Sequence, residues 1–401
     1  MGIDIRQDQV SAAHVMVVGC GALGNEVLKN LVLMGVTHIV VVDFDIVEMG
    51  NLTRSVLFTK SDAERKRLKV EVVAERLREM NADVEVKTIC GDIAYDVGLG
   101  LIRQMDVVIG CVDSRWARFC INRLCMRAGI PWVDGGIDGL EGTARVFAPG
   151  ENCYACNLGP EGLKDLARRM PCSGIIRRQE QSGSAPTTSI IASIIGAIEV
   201  QEALKLIQKD FGTSLCGKML YYDGEHTSFR VAGYKAYDDE CSEHEQWTPV
   251  CRTEVSDATP VGEALQCWAQ ELREKGTVKS EKGKVKREKG KVKSEKLTLC
   301  LANDCFVDYV SRRDNDERVT MMVPGRSVAD KVAGEDTLDG QPLNALYQHE
   351  YRYVDADFPY PMLTLAQLGI PQHDIVHVTA EGVEKYLELR DMNQEISEED
   401  K

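Results

Sequence analysis

Apolar positions in the first part of the chain fall into short runs that are separated by a glycine pattern and by a helical pattern. The first run, Val15–Val18, leads into a Gly-x-Gly-x-x-Gly pattern over residues 19–24. A helical pattern follows, and a second run, Ile39–Val42, ends in Asp43. This order predicts strand, glycine turn, helix, strand and acid, which together form a nucleotide-binding βαβ unit.

Each glycine of the pattern has its own task in this prediction. Gly19 permits the tight turn, Gly21 lets the backbone approach a phosphate, and Gly24 lets helix and strand pack closely. The start of the helix offers free N–H groups to an anion. Asp43 stands 19 residues after Gly24, where an acid can bond ribose hydroxyls. The alternative is a glycine-rich turn without a ligand.

The residues after Asp43 indicate which nucleotide binds. Asp45 is a second acid, and the Asn-Leu-Thr-Arg stretch that follows contains Asn51 and Arg54. An NAD site needs neither feature, whereas ATP phosphates with Mg²⁺ use both, because arginine binds phosphate through a planar fork. Lys69 is suited to act as a point charge on a phosphate. The stretch therefore favours ATP over NAD.

Asp113 comes directly after another apolar run, Val107–Val112, and so stands at the C-terminal end of a predicted strand. Ligands bind along that edge of an open α/β sheet. A carboxylate there suits a hard cation such as Mg²⁺. The residues by themselves thus predict a site for ATP and Mg²⁺.

Four metal-ligand candidates form two short pairs. Cys153 and Cys156 follow a predicted strand, and Cys241 and His244 come 85 residues after Cys156. Two such knuckles predict one tetrahedral structural Zn²⁺ site. A redox role for the first pair and unrelated cysteines are the alternatives.

These motifs resemble the ThiF/MoeB/ubiquitin-activating enzyme superfamily from about residue 14 to about residue 244. The resemblance implies an α/β fold, with a Rossmann-like adenylation domain built on a mostly parallel sheet. In that family the site adenylates the C-terminal glycine carboxylate of a ubiquitin-fold protein. Further matching stretches are CVDSRWAR, GLEGTARVF and ASIIGAIEVQEALKLI.

The resemblance also assigns roles to the site residues. Asp43 holds the ribose, and three residues handle phosphates, namely Asn51, Arg54 and Lys69. Asp113 handles Mg²⁺, and Asp45 lies near the metal. The family further implies a homodimer in which an arginine from an N-terminal arm enters the partner's ATP site. Arg6 is the one arginine before the glycine pattern, and its spacing does not fit that contact.

Cys172 lies in the expected crossover loop, about residues 157–187, with four arginines nearby. A thiol in a basic, mobile loop is expected to have a lowered pKa and to be nucleophilic. In ubiquitin-activating relatives a cysteine of this loop takes the acyl group as a thioester, so Cys172 is expected to do so here. Cys216 and Cys251 are weaker candidates, and a loop cysteine without chemistry is the alternative.

The net charge of −15 argues against nucleic acid as a partner. We find neither a signal-peptide pattern nor an apolar run long enough for a membrane span, so we expect a cytoplasmic enzyme. Fourteen cysteines in a chain of this length do not indicate a disulfide framework. Several lie within apolar segments and are expected in the core: Cys90, Cys111, Cys120 and Cys125.

Beyond the expected adenylation domain, 1–247, the pattern changes. Residues 248–273 are expected to be a connector, and 274–296 hold a basic seven-residue repeat expected to be disordered or to dock an acidic partner. Residues 297–390 predict a small α+β domain whose last part resembles ubiquitin-like folds. A dimerisation or capping domain is the alternative. Residues 391–401 form an acidic tail.

The sequence therefore predicts an enzyme that activates a ubiquitin-like protein with ATP, forms a thioester and passes it to a conjugating-type enzyme. A chain of this size with a single adenylation domain resembles activating enzymes of bacterial ubiquitin-like conjugation operons, some of them antiviral. The main alternative is adenylation of a sulfur-carrier protein for molybdopterin or thiamine synthesis. A scaffold that has lost catalysis and an NAD dehydrogenase fit the residues less well.

Overall fold

The structure is a computed structural model. It describes residues 6–159, 162, 187–234, 238–274, 297–301, 306–312, 318–323, 337–338, 341–342, 346–380 and 383–391. The chain divides into two compact units, and the described residues up to 246 belong to the first, those from 247 to the second. Most of the basic repeat, of the crossover loop and of the acidic tail lies outside the described residues.

The first unit alternates strands and helices before it ends in antiparallel strands. Its strands are β1 His14–Val18, β2 His38–Val42, β3 Glu85–Ile89, β4 Val107–Gly110, β5 Trp132–Asp138, β6 Glu141–Phe147, β7 Lys218–Asp223 and β8 Ser228–Gly233. Its helices are α1 Gln7–Ala12, α2 Ala22–Leu33, α3 Lys60–Glu64, α4 Lys69–Met80, α5 Leu99–Arg103, α6 Arg115–Ala128 and α7 Ser189–Ile207. Short 3₁₀ helices cover Met49–Thr53, Phe211–Thr213 and Ser242–His244.

These eight strands form one sheet in the order β3-β2-β1-β4-β5-β6-β7-β8. The first five are parallel, and β6 to β8 add antiparallel pairs. The expected Rossmann-like, mostly parallel domain is therefore confirmed. β1 is apolar at consecutive positions because both of its faces are covered, as parallel sheets require.

Helix α7 is buried along much of its length and packs against α2, β4, β5 and β6. Thr188 caps its start by accepting a hydrogen bond from Ile191 N (3.3 Å). On the same helix, the ionisable residues Glu199 and Glu202 are buried in the core. Among the described residues, no helix has the length and apolar content that a membrane crossing requires.

The second unit is a smaller α+β region, as expected. Its helix is α8 Val261–Glu274, and a 3₁₀ helix covers Ala366–Leu368. Its strands are β9 Val250–Arg252, β10 Leu297–Cys300, β11 Phe306–Arg312, β12 Arg318–Val323, β13 Thr337–Leu338, β14 Gln341–Pro342, β15 Leu346–Tyr351, β16 Tyr353–Val354, β17 Ile375–Ala380 and β18 Val383–Glu388.

A five-stranded sheet in the order β16-β10-β17-β18-β9 carries the core of this unit. Residues 248–273, expected to be a connector, contribute β9 and α8 to it. β9 pairs with β18 in parallel, and Trp268 of α8 is fully buried in the same core. The apolar face of α8 explains this, because the sheet supplies the surface that buries it. A ubiquitin-like fold for this unit stays a prediction.

Candidate nucleotide and metal sites

The glycine turn lies where the order of the parallel strands reverses. β1 has β2 on one side and β4 on the other. Gly19 N donates to Val42 O, and Cys111 N donates to Val18 O, both at 2.8 Å. The C-terminal ends of three strands therefore meet at one edge. Ligands of open α/β sheets bind in the crevice at such a reversal.

The three glycines of the turn meet different surroundings. Gly19 has φ +97°, and a Cβ there would lie 2.4 Å from Cys111 O. A Cβ on Gly24 would lie 1.9 Å from Gly19 O, so helix and turn touch at this point. A Cβ on Gly21 would meet no heavy atom of the described residues within 4 Å, its own chain neighbours aside. Two glycines are therefore required by packing, and the third faces open space at the start of α2.

The side chain of Asn25 holds the glycine turn in place through hydrogen bonds, a role that the sequence analysis did not assign to it. Its Nδ2 donates to Cys20 O (2.8 Å) and to Gly21 O (2.9 Å). Its Oδ1 accepts from Leu57 N (2.9 Å). The side chain is fully buried and joins the turn to the segment after residue 54. A polar residue directly after the third glycine was the available signal.

Asp43, Asp45 and Lys69 form one connected cluster at this edge. Asp43 Oδ2 accepts from Cys20 N (2.7 Å) in the turn, and Asp43 Oδ1 accepts from Asp45 N (2.8 Å). Lys69 Nζ lies 2.8 Å from Asp45 Oδ2. The structure thus brings together the expected ribose acid, the expected metal-side acid and the expected phosphate lysine.

Electrostatics keep a positive charge in this cluster. Burial alone lowers the pKa of Lys69, but the carboxylates of Asp43 and Asp45 outweigh that effect and raise it above its ordinary value. Burial raises the pKa of Asp43, and Lys69 partly opposes that rise. The ammonium group of Lys69 is therefore retained although the residue is buried.

Asn51 and Arg54 lie on a separate short element, the 3₁₀ helix Met49–Thr53 and its end. Asn51 Oδ1 accepts from Glu48 N (2.9 Å), which caps that helix. Arg54 follows as its C-cap and is half-buried.

Asp113 is exposed two residues after Cys111, just before the N-cap Ser114 of α6. It therefore stands at the same sheet edge as the glycine turn.

Asp134 of β5 is the buried centre of a charged triad with Arg118 of α6 and Arg145 of β6. Asp134 is fully buried and accepts from Arg118 Nε (2.7 Å) and Arg145 Nε (2.7 Å). Burial lowers the pKa of Arg118, but Asp134 outweighs it and raises the pKa overall. Arg145 also lies 5.4 Å from the ring centre of Tyr154. The triad joins α6 to two strands and to the first cysteine pair.

Glu199 of α7 is fully buried beside β5. A Cβ on Gly135 would lie 2.4 Å from the Glu199 carboxyl, which explains the glycine there. Neither carboxyl oxygen of Glu199 has a hydrogen-bond partner among the described residues. Burial, and then the charge of Asp134, raise the pKa of Glu199 well above its ordinary value. Burial therefore favours the protonated, uncharged form of this acid in the core.

The four expected metal ligands converge. One ligand atom from each of Cys153, Cys156, Cys241 and His244 lies within 4.8 Å of the others. Cys153 Sγ is 3.7 Å from Cys156 Sγ and 3.8 Å from Cys241 Sγ. Zn–S bonds of about 2.3 Å in a tetrahedron place sulfurs roughly 3.8 Å apart. The donor set and these spacings therefore fit Zn²⁺.

The expected acyl-accepting residue, Cys172, lies outside the described residues. Of the weaker candidates, Cys216 is half-buried, and burial raises its pKa to about 11. A thiol with so high a pKa is protonated at neutral pH and nucleophilic only through a small thiolate fraction. Cys251 lies in β9 of the second unit.

Two smaller expectations also have outcomes. Arg6 N donates to Gln208 Oε1 (2.9 Å), and its guanidinium donates to Gln208 O, so this arginine binds its own chain.

Three of the four cysteines expected in the core, Cys111, Cys120 and Cys125, are buried. The expectation for Cys90 is wrong, because it is exposed just after β3. β3 ends at Ile89, so Cys90 lies just beyond the strand and not inside the sheet.

The chain belongs to the ThiF family, whose model matches residues 3–243. It is 31% identical over 233 residues to the SAMP-activating enzyme E1 of Haloferax volcanii, which covers 58% of this chain and 81% of that protein. It is 31% identical over 230 residues to a sulfur carrier protein adenylyltransferase of Thermus thermophilus, covering 56% and 79% respectively.

A third relative has a different extent. The mouse protein named adenylyltransferase and sulfurtransferase MOCS3 is 32% identical over 225 residues, which cover 56% of this chain and 46% of that protein. The chain thus spans about half the length of this relative. All three similarities cover little more than half of the present chain.

Proposed function

We propose that this chain uses Mg-ATP to adenylate the C-terminal carboxylate of a ubiquitin-like protein. The observation on which this proposal rests is the buried, charged ammonium group of Lys69. It lies at the glycine turn, where it pairs with Asp45 and is close to Asp43. A cation at that edge suits the phosphates of ATP. The proposal is supported by the similarity to a SAMP-activating enzyme E1.

In the proposed reaction, one bond to the α-phosphorus of ATP forms and one breaks. A carboxylate oxygen of the substrate attacks the α-phosphorus, the bond to the bridging oxygen breaks, and pyrophosphate leaves. Lys69, Arg54 and Asn51 bind phosphates, and Asp43 binds the ribose. Asp113 and Asp45 would hold Mg²⁺, which neutralises phosphate charge when bound. The turn N–H groups at the start of α2 are placed to bind anionic oxygens.

The second proposed step forms a thioester. The Cys172 thiolate attacks the acyl carbon, the bond to the phosphate oxygen breaks, and AMP leaves with that electron pair. The thioester then passes to a conjugating-type enzyme. The basic residues near Cys172, among them Arg169 and Arg177, favour the thiolate.

ATP–pyrophosphate exchange in the presence of the ubiquitin-like protein tests the first step. Asp113→Ala is expected to lower exchange by roughly 10²-fold or more, because Mg²⁺ and the developing phosphate charge lose a ligand. Asp83→Ala is the matched control. Asp83 is also exposed but precedes β3, at the opposite edge of the sheet. Full exchange in Asp113→Ala would remove Asp113 from the site.

A second candidate function is adenylation of a sulfur-carrier protein. The similarity to a sulfur carrier protein adenylyltransferase favours it. In that case the adenylate meets a sulfur donor, and Cys172 is dispensable. Product formation with each carrier type, measured on the same preparation, separates the two candidates.

We also propose one structural Zn²⁺ per chain, held by Cys153, Cys156, Cys241 and His244. The support is the convergence of their ligand atoms within 4.8 Å. Burial lowers the pKa of His244, which favours the neutral imidazole that binds metals. Metal analysis of folded protein is expected to give one zinc equivalent. A value near zero would overturn this centre.

Self-association as a homodimer is part of the proposal and rests on the family resemblance. Light scattering is expected to give about twice the chain mass of 44.5 kDa. The mass of one chain at micromolar concentration would contradict it.

A further inference from the structure

Two neighbouring residues of α6 each hold one of the two ligand pairs, although the pairs are far apart in the sequence. Asn122 Oδ1 accepts from Tyr154 N (2.9 Å), between Cys153 and Cys156. Arg123 donates through Nε to Glu243 Oε2 (3.1 Å) and through Nη2 to Glu243 Oε1 (3.4 Å). Glu243 lies between the other two ligands. Helix α6 is therefore the platform on which both knuckles are assembled.

The amide nitrogen of Asn122 is the unexplained atom of this platform. The side chain is fully buried, and Nδ2 has no hydrogen-bond partner among the described residues. Buried amide donors in proteins are normally paired. Because Oδ1 is fixed by Tyr154, the orientation of the amide is also fixed, and Nδ2 cannot turn to another acceptor.

The Cys153 sulfur is the neighbouring group that can accept from it. Cys153 is fully buried and directly precedes Tyr154, whose N–H is bound by Asn122, and the Asn122 side chain lies beside that of Cys153. A neutral thiol is a weak acceptor, whereas a thiolate accepts charge-assisted hydrogen bonds. The donor therefore gains its partner when Cys153 becomes a metal-bound thiolate.

We infer that Asn122 donates its amide N–H to the Cys153 sulfur of the zinc-loaded centre and thereby strengthens zinc retention. Groups that hydrogen-bond metal ligands fix their orientation, and losing one typically costs 10–100-fold in metal affinity. The inference rests on the proposed zinc centre. It does not depend on which carrier protein is adenylated.

Asn157 provides a matched control. Its Nδ2 donates to the backbone oxygen of the same cysteine, Cys153 O, at 2.9 Å. Asn122 and Asn157 thus both contact Cys153, but Asn122 alone is assigned to the sulfur. Removing either amide deletes one side-chain donor near the centre, so the pair separates a sulfur effect from a general loss of packing.

The experiment compares full-length wild type, Asn122→Ala, Asn122→Ser and Asn157→Ala, each loaded with zinc. Competition with a chromophoric chelator is expected to show zinc affinity about 10–100-fold lower in both Asn122 variants. Asn157→Ala is expected to match wild type. In cobalt-loaded protein, the sulfur-to-cobalt charge-transfer band should move to lower energy in the Asn122 variants, because the thiolate loses a donor.

Wild-type affinity and an unmoved cobalt band in Asn122→Ser would overturn the inference, even if Asn122→Ala fails to fold. Equal losses in the Asn122 and Asn157 variants would also overturn it. Pyrophosphate exchange on the same zinc-loaded preparations keeps the proposed function separate. Absent exchange in wild type overturns the function and leaves the Asn122 result standing, and a zinc-free wild type overturns this inference but not adenylation.

Discussion

Lys69 Nζ lies 2.8 Å from Asp45 Oδ2 at the first residue of α4, on a side chain that is almost entirely buried. A buried ammonium is stable there because Asp43 and Asp45 raise its pKa. Lys69 therefore keeps its positive charge beside the glycine turn, as one partner of an ion pair with Asp45. This charge is the central electrostatic feature of the proposed ATP site.

Lys69→Ala should lower ATP–pyrophosphate exchange by roughly 10²-fold, because phosphate charge loses its buried cation. Removing Lys69 also leaves two carboxylates close together, which weakens anion binding further. Lys60→Ala is the control, since Lys60 is exposed and pairs with Glu64 at 3.5 Å. Equal exchange in the two variants would contradict the assignment of Lys69.

Gly21→Ala and Gly24→Ala should fail in different ways. A Cβ on Gly24 would lie 1.9 Å from a backbone oxygen, so the melting temperature should fall. A Cβ on Gly21 would contact none of the residues that the structure describes, so folding should be unaffected while ATP affinity falls. Thermal melts with and without ATP distinguish the two. Unchanged ATP affinity in Gly21→Ala would mean that the phosphates lie elsewhere.

Glu199→Gln should stabilise the protein at neutral and alkaline pH. Burial and Asp134 raise the pKa of Glu199 in the folded chain, whereas the unfolded chain releases this proton near pH 4.5. Between these two pKa values the folded state binds the additional proton, so wild-type stability falls as pH rises, by at most about 1.4 kcal/mol per pH unit. Glutamine cannot ionise and removes this loss.

The measurement is the melting temperature of wild type and Glu199→Gln from pH 5 to pH 8, and the advantage of the variant should grow with pH. Glu202→Gln is the contrast. That buried carboxylate accepts from Leu215 N (2.7 Å) and pairs with Lys205, so its replacement should destabilise. A pH-independent difference for Glu199→Gln would show that Glu199 is charged in the folded state.

The sequence anticipated those parts of the site that lie in local motifs. The turn around Gly19, the acid Asp43 after β2 and the knuckle ligand Cys153 each follow from spacing within a few residues. Parallel pairing then brings the ends of β1, β2 and β4 together, because their C-terminal ends share one edge.

The remaining features depend on packing between distant segments. Asp134 meets Arg118 and Arg145 across 16 and 11 residues, and Glu199 is buried against a strand more than sixty residues earlier. Arg118, Arg145 and Glu199 lie in stretches that match the family, but no spacing within those stretches predicts these contacts. Asn122 likewise looks like an ordinary polar position of α6 until Tyr154 is placed beside it.

The most direct test of the proposed function uses Cys172→Ala and wild type with Mg-ATP and the ubiquitin-like protein. Adenylation needs no thiol, so both proteins should support pyrophosphate exchange. On non-reducing gels wild type should form a thioester that dithiothreitol cleaves, and Cys172→Ala should form none. A thioester that persists in Cys172→Ala, or exchange in wild type without any thioester, would contradict the account.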